Sequence, residues 1–189
     1  MHFQKIIHRD IKTENLLLGA NNKVEITDFG ISQMFDEHID DPLLNNKNAS
    51  PLYCPPEMCD SRTNHFKGKA VDIWSLGVSL FCLLHGHAPF EDLDILVLYD
   101  KIIKSKAKID PSLSCEVKEL MTMMLEKNPL DRITLDEIKT HVWTTQNGKR
   151  PMMSSKENCA IGDTKLDDTK QSKQSPIMTV RIKLCHVFK

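Results

Sequence analysis

The sequence predicts a mainly α-helical fold with a small β-hairpin near its start. Three observations carry that prediction: a run at 70–84 (AVDIWSLGVSLFCLL) that is apolar on nearly all sides, two later segments whose apolar residues recur at helical spacing, and two short β-prone runs flanking a cluster of turn formers. A helix that is apolar all round cannot lie on a surface, so 70–84 is the expected core.

The elements follow in order. Leu16, Leu17 and Leu18, then Val24, Glu25, Ile26 and Thr27, are separated by Gly19-Ala20-Asn21-Asn22-Lys23, which reads as a hairpin. No period of 2 or 3.6 holds across 31–51, where Asp36, Glu37, Asp40, Asp41, Pro42 and three asparagines favour a long solvated loop. Ile95, Leu98, Tyr99 and Ile102 fall at i, i+3, i+4 and i+7, and so do Val117, Leu120, Met121 and Met124, predicting two amphipathic helices around the core helix. Thr134-Leu135-Asp136-Glu137 fits a capping box and opens a short helix expected to end near Trp143. Beyond it, 147–175 is polar with few core anchors, and Ile177, Val180, Ile182 and Leu184 then recover apolar character among basic residues.

The 189 residues carry 25 Lys plus Arg against 26 Asp plus Glu, a net charge of −1, so the whole chain exerts no pull on nucleic acid or on an anionic membrane. The charge is uneven. Residues 145–189 hold nine basic and four acidic side chains, leaving an acidic body and a basic tail. The six cysteines form no CxxC pair, and the opening Met1-His2-Phe3-Gln4-Lys5 leads into only two apolar residues, unlike a signal peptide. These features are the expectation for reduced thiols in the cytoplasm, with the nucleus as the open alternative. The longest apolar stretch, 77–84, is far below the roughly 20 residues of a membrane helix.

His8-Arg9-Asp10-Ile11-Lys12-Thr13-Glu14-Asn15 gathers a carboxylate, a lysine and a carboxamide in one short segment, and Asp28-Phe29-Gly30 follows on the far side of the expected hairpin. A lone Asp10 or Asp28 would be an ordinary solvated turn carboxylate. Their order and spacing change that reading: they match H-R-D-x-x-x-x-N followed by D-F-G, with Pro55-Pro56-Glu57, Asp72-x-Trp74-Ser75-Leu76-Gly77 and Arg132 downstream.

This set resembles the protein kinases. The resemblance implies a protein-kinase-like fold, present here as its C-terminal large lobe without the N-terminal lobe, that uses ATP and Mg²⁺. Phosphoryl transfer needs a carboxylate to orient and accept the proton of the attacking hydroxyl, and the resemblance assigns that role to Asp10. It assigns Asn15 and Asp28 as hard oxygen ligands of Mg²⁺ on the nucleotide phosphates, and Lys12 as a positive charge beside the transferred phosphate. Lysine at this position implies a Ser or Thr acceptor. The remaining matches are architectural: His8 and Phe29 as packing residues, Arg9 as a partner for a phosphate on the activation loop, Asp72 holding the backbone of the catalytic loop, and Glu57 with Arg132 as a buried ion pair.

The finer resemblance is to calcium/calmodulin-dependent protein kinase kinases. It rests on His2-Phe3-Gln4-Lys5-Ile6-Ile7-His8-Arg9-Asp10-Ile11-Lys12, on Lys127-Asn128-Pro129-Leu130-Asp131-Arg132-Ile133, and on Glu137-Ile138-Lys139-Thr140-His141-Val142-Trp143. Asn147-Gly148, Pro151, Glu157-Asn158-Cys159 and Pro176-x-x-Thr179-Val180 resemble that family's regulatory tail. It implies 1–144 as part of a kinase domain, 145–176 as a polar linker, and 177–189 as a basic and apolar segment resembling an autoinhibitory and calmodulin-binding tail. Protein substrates, themselves kinases, and calmodulin are the implied partners; nucleic acid and membrane are not. The near-alternation at 180–184 suits a strand or an extended inhibitory segment, whereas a helical reading suits the calmodulin groove.

The chain departs from the pattern in places. Thr13 stands where the catalytic loop usually has proline, which removes one fixed φ. Ala49-Ser50-Pro51 and Pro55-Pro56-Glu57 replace Gly-Thr-Pro and Ala-Pro-Glu. Only seven residues precede His8, so these 189 residues include no Gly-rich loop and no strand lysine to clamp the nucleotide. A face left open to water would weaken electrostatic catalysis, giving poor ATP binding and slow transfer. The alternative is a truncated, non-catalytic interaction module. Between Gly30 and Pro56 only Ser32 and Ser50 carry a hydroxyl of the Ser or Thr type, and Asp36, Glu37, Asp40 and Asp41 either solvate the loop or supply charge to Arg9.

Overall fold

The computed structural model describes residues 1–19, 23–157 and 180–182. A 3₁₀ turn at His2–Gln4 leads into β1 (Ile6–Ile7), and a second at Thr13–Asn15 leads into the hairpin of β2 (Leu16–Gly19) and β3 (Lys23–Ile26). The two hairpin strands pair antiparallel, with Leu16 opposite Ile26 and Gly19 opposite Lys23.

The segment expected to be a long solvated loop holds two short strands. β4 (Gln33–Met34) pairs with β1, and β5 (Leu43–Leu44) pairs with the later β6 (Phe66–Lys67). Strands of two residues are too short to show a period, which is why the sequence pattern does not reveal them. The loop acids do more than meet solvent. Asp40 forms an ion pair with Lys69 at 2.8 Å, and Asp41 accepts the Lys69 amide at 2.8 Å, pinning the loop to the start of the central helix.

After a 3₁₀ turn at Pro51–Tyr53 come α1 (Pro56–Cys59) and the core helix α2 (Gly68–His85), two residues longer at its start and one at its end than the apolar run. It stops at Gly86, whose φ of 78° lets its amide return to the Cys82 carbonyl at 2.8 Å. Trp74, Val78 and Phe81 of α2 form the main core with Phe90, with Leu98 and Ile102 of α3 (Ile95–Lys104), and with Val117 and Met121 of α4 (Cys115–Met124). Both amphipathic helices pack by the expected faces, capped by Asp94 and Ser114, except that Ile95 at the start of α3 stays exposed. Gly77 allows the close approach of α2 to α4: a β-carbon there would sit 2.9 Å from Met124 Cβ.

The capping box at Thr134 is present and opens α5 (Leu135–Thr140), but this helix does not run on to Trp143. His141 turns extended (ψ 144°), its ring Nδ1 accepts the Trp143 amide at 3.2 Å, and α6 (Val142–Thr145) starts anew. A side-chain acceptor aimed at the next turn's amide is a helix start, and it overrides continuation. Gln146 and Asn147 then take left-handed φ and end α6.

Near the other end of the chain, β7 (Val180–Ile182) lies antiparallel on β3, with Val180 opposite Ile26 and Ile182 opposite Val24. The expected linker beyond Glu157 and the rest of the 177–189 segment lie outside the described residues.

Glu57 and Arg132 form a two-pronged ion pair. Nη1 and Nη2 of Arg132 donate to the two Glu57 carboxylate oxygens at 2.8 and 2.9 Å, and the guanidinium also satisfies the carbonyls of Ala70, Glu126 and Lys127. Its side chain is fully buried, so losing either charge strands the other. Arg132→Met is expected to cost about 3–5 kcal/mol in denaturant-induced unfolding; a loss under about 1 kcal/mol would show that this pair does not hold α1 to the rest of the core.

Candidate active site

The site begins with a carboxylate inside the core. Asp72, in the second turn of α2, is 1% exposed and gathers three donors: the Arg9 amide at 2.8 Å on Oδ1, and the His8 amide at 2.9 Å and His2 Nε2 at 2.7 Å on Oδ2. This grip holds Arg9 at φ 72°, a left-handed conformation that costs a non-glycine residue about 1–3 kcal/mol unless its surroundings impose it.

His8 is a structural residue. Its Nδ1 accepts the Asp10 amide at 3.3 Å, so Nε2 carries the proton and donates to the Thr27 carbonyl at 3.0 Å. Phe29 meets its ring edge-on at 4.7 Å. Both ring nitrogens are occupied, which leaves no lone pair for proton abstraction and agrees with the packing role expected for His8 and Phe29.

The bend at Arg9 presents Asp10. One carboxylate oxygen, Oδ2, accepts from Lys12 Nζ at 2.7 Å and Asn15 Nδ2 at 3.3 Å, while Oδ1 accepts from Ser50 Oγ at 2.8 Å. Lys12 Nζ also reaches Ser50 Oγ at 3.2 Å, and Asn15 Nδ2 the Asp10 carbonyl at 2.9 Å. Burial by itself pushes the Asp10 carboxyl up, but the bonds from Lys12, Ser50 and Asn15 outweigh it and hold the group below its ordinary value. The bond to Asp10 in turn raises Lys12. The geometry of this carboxylate, with Oδ1 on the Ser50 side and Oδ2 on the Lys12 side, suits it to orient a hydroxyl.

Asp28 stands on the other side. It takes φ 62°, is exposed, and accepts the Gly30 amide at 3.2 Å on Oδ1. The preceding residue, Thr27, donates its amide to the Asn15 carbonyl at 2.9 Å, so the hairpin brings Asp28 back beside Asn15, and the Asp28 charge is felt at Lys12. Asn15 offers an amide oxygen on the side away from its committed Nδ2, and Asp28 a carboxylate. A hard divalent cation prefers such a pair.

Arg9 points elsewhere. It is 6% exposed, its Nε and Nη2 have no partner among the described residues, and burial lowers its pKa against the pull of Asp72. Among the described residues Arg9 forms no ion pair with Asp36, Glu37, Asp40 or Asp41; Asp40 and Asp41 contact Lys69, and Asp36 the His38 amide.

The protein kinase domain family matches residues 1–144. The chain belongs to the protein kinase family. Among curated proteins, it is 42% identical over 161 residues to a calcium/calmodulin-dependent protein kinase kinase of Emericella nidulans, covering 85% of this chain and 31% of that protein. It is likewise 42% identical over 154 residues to a probable serine/threonine-protein kinase of Dictyostelium discoideum (80% and 22%), and 38% identical over 167 residues to CBL-interacting protein kinase 33 of Oryza sativa subsp. japonica (88% and 35%). The chain thus spans about a third or less of the length of these relatives, and several kinds of serine/threonine kinase resemble it to a similar degree.

Within this kinase-family chain the geometry adds one residue that the motifs did not assign. The sequence marks Ser50 only as a hydroxyl, because its partners Asp10 and Lys12 lie 40 and 38 residues away and no local pattern in 31–51 points to them. Its place directly before Pro51, where the family pattern has a hydroxyl, was the available signal.

The depressed Asp10 pKa has a pH consequence. Its ionisation stabilises the fold above the unfolded carboxylate pKa of about 3.9, and that stabilisation is lost as pH falls through the lower folded value. In Lys12→Met, where burial is opposed by fewer bonds, the ¹³C titration of the Asp10 carboxyl should move upward. An unchanged midpoint would mean that Lys12 does not set this charge.

Proposed function

We propose that this chain is the part of a serine/threonine protein kinase that carries the catalytic loop, transferring the γ-phosphoryl of ATP to protein hydroxyls, and that it is of the calcium/calmodulin-dependent protein kinase kinase type with other kinases as substrates. The observation that carries the reading is the closed set of contacts among Asp10, Lys12, Asn15 and Ser50, with Asp28 returned beside it. The kinase-kinase type is supported by the motif likeness and by the printed name of the Emericella nidulans relative. Cytoplasm is the proposed location.

Each side chain has a task that its contacts already prepare. Asp10 orients the acceptor hydroxyl, with Oδ1 facing the Ser50 side and Oδ2 neutralised by Lys12. Lys12 is the fixed positive charge nearest the transferred group, worth most where water is excluded. Asn15 and Asp28 would hold Mg²⁺, which when bound neutralises charge on the nucleotide phosphates. Nε and Nη2 of Arg9, without a partner among the described residues, fit an anion contributed by the segment between Gly30 and Pro56, where Ser32, whose hydroxyl donates to the Phe29 carbonyl at 2.8 Å, is the serine not bonded to Asp10.

The basic and apolar segment 177–189 is proposed as a regulatory tail. The pairing of Val180–Ile182 with β3 supports an extended segment laid along the hairpin over a helical one. A peptide of residues 170–189 titrated with calcium-loaded calmodulin should bind if the tail also serves that partner; no binding would leave only its docking on β3.

Transfer of phosphate from Mg-ATP to a Ser/Thr peptide by the purified chain tests the central reading. Transfer is expected to be slow beside a kinase with a nucleotide-clamping lobe, and Asp10→Asn should lower it by about 100-fold or more. Equal incorporation by wild type and Asp10→Asn would favour the interaction module over the enzyme.

A further inference from the structure

Two residues of the segment 50–53, Ser50 and Tyr53, cross-link it to the catalytic segment 10–15. Ser50 meets Asp10 and Lys12. Tyr53 meets Glu14 and Thr13, the residue that replaces the usual proline.

Thr13 Oγ1 lies 2.8 Å from the Tyr53 hydroxyl, and Glu14 Oε2 accepts from both, at 2.9 Å from Thr13 and 3.3 Å from Tyr53, so the two hydroxyls and the carboxylate form one cluster. The Thr13 amide points back at the same phenol oxygen at 3.5 Å. A proline could make neither contact, lacking both hydroxyl and N–H. The far end of the link is equally fixed. Tyr53 is 7% exposed, its carbonyl accepts from Ser75 Oγ of α2 at 3.1 Å, and its amide donates to the Ser50 carbonyl at 2.9 Å.

We propose that Thr13 is a positioning residue: its hydroxyl, clasped to Tyr53, locks the Thr13–Asn15 turn to the 50–53 segment and so sets the distance between Asp10 and an acceptor hydroxyl laid on that segment. The proposal rests on the kinase reading. The physical logic is substitution of one constraint for another. A proline ring fixes φ at its own residue but touches nothing across the site, whereas the Thr13 hydroxyl gives up that rigidity and gains a bond to the opposite wall. Because Tyr53 is anchored on α2, the wall is the protein core. Asn15, two residues beyond Thr13, is held to Asp10 by the same turn, so slack at Thr13 would be passed to the Asn15 bonds.

A double-mutant cycle on the full chain tests it. Thr13→Val keeps the shape and removes the hydroxyl; Tyr53→Phe removes the partner; Thr13→Ser restores the bond. Each of the first two should lower Tm by roughly 2–4 °C, their combination should lower it little further, and Thr13→Ser should stay near wild type. Amide exchange at residues 13–16 should quicken in Thr13→Val and recover in Thr13→Ser. In peptide kinetics Thr13→Val should raise the acceptor KM roughly fivefold, and by more than it raises the ATP KM. Additive Tm losses would overturn the clasp. Coupled losses with an unchanged acceptor KM would reduce Thr13 to a stability contact and overturn its positioning role. If wild type transfers no phosphate, the kinase reading fails by itself, and additivity together with amide exchange and its rescue by serine still decides whether the clasp exists.

Discussion

A carboxylate buried in the central helix organises the rest of the molecule. Asp72 would be a heavy cost inside the core were it not for three donors, and two of them are consecutive backbone amides of the catalytic segment. The exchange runs both ways. The amides satisfy the charge, and the charge imposes on Arg9 a backbone conformation that it would not choose alone. Since α2 is itself fixed by apolar packing on both flanks, the strained bend is referenced to the core, and the side chain after the bend, Asp10, inherits that precision.

From the bend outward, the site is held by cross-links between segments distant in sequence. Ser50 and Tyr53 each reach across to the catalytic segment, Thr27 ties the hairpin to Asn15, and Arg132 ties α1 to the base of α2. These links are short polar contacts at places sheltered from water, where a hydrogen bond specifies position more than it adds stability. Their electrostatic result is an Asp10 carboxyl held below its ordinary value and a Lys12 raised by the same bond. That combination suits a reaction in which charge must be in place before the hydroxyl loses its proton.

The segment between Gly30 and Pro56 is tethered rather than free. Two-residue pairings at β4 and β5 and the contacts of Asp40 and Asp41 with Lys69 hold it along the body, while Nε and Nη2 of Arg9 have no partner among the described residues. On the opposite side, β3 carries β7 on its free edge, so the strand that leads to Asp28 is also where a distant part of the chain docks.

Local pattern was enough for what depends on neighbours in sequence. The all-apolar run determined α2, the i, i+3, i+4 spacing determined α3 and α4, the turn formers determined the hairpin, and the capping box at Thr134 determined the start of α5, since each is a matter of burying one face or satisfying one helix end. The order of Asp10, Asn15 and Asp28 made the family and the candidate site legible as well. What lay beyond reach was every feature that depends on a partner far along the chain or on a strand too short to show a period: β4 and β5, the break at His141, the bonds from Ser50 to Asp10, and the clasp of Thr13 on Tyr53. A hydroxyl in a sequence carries no sign of what it will meet; only the packing of α2 against its neighbours brings those atoms within 3 Å of one another, and that is where the tertiary structure decided the site.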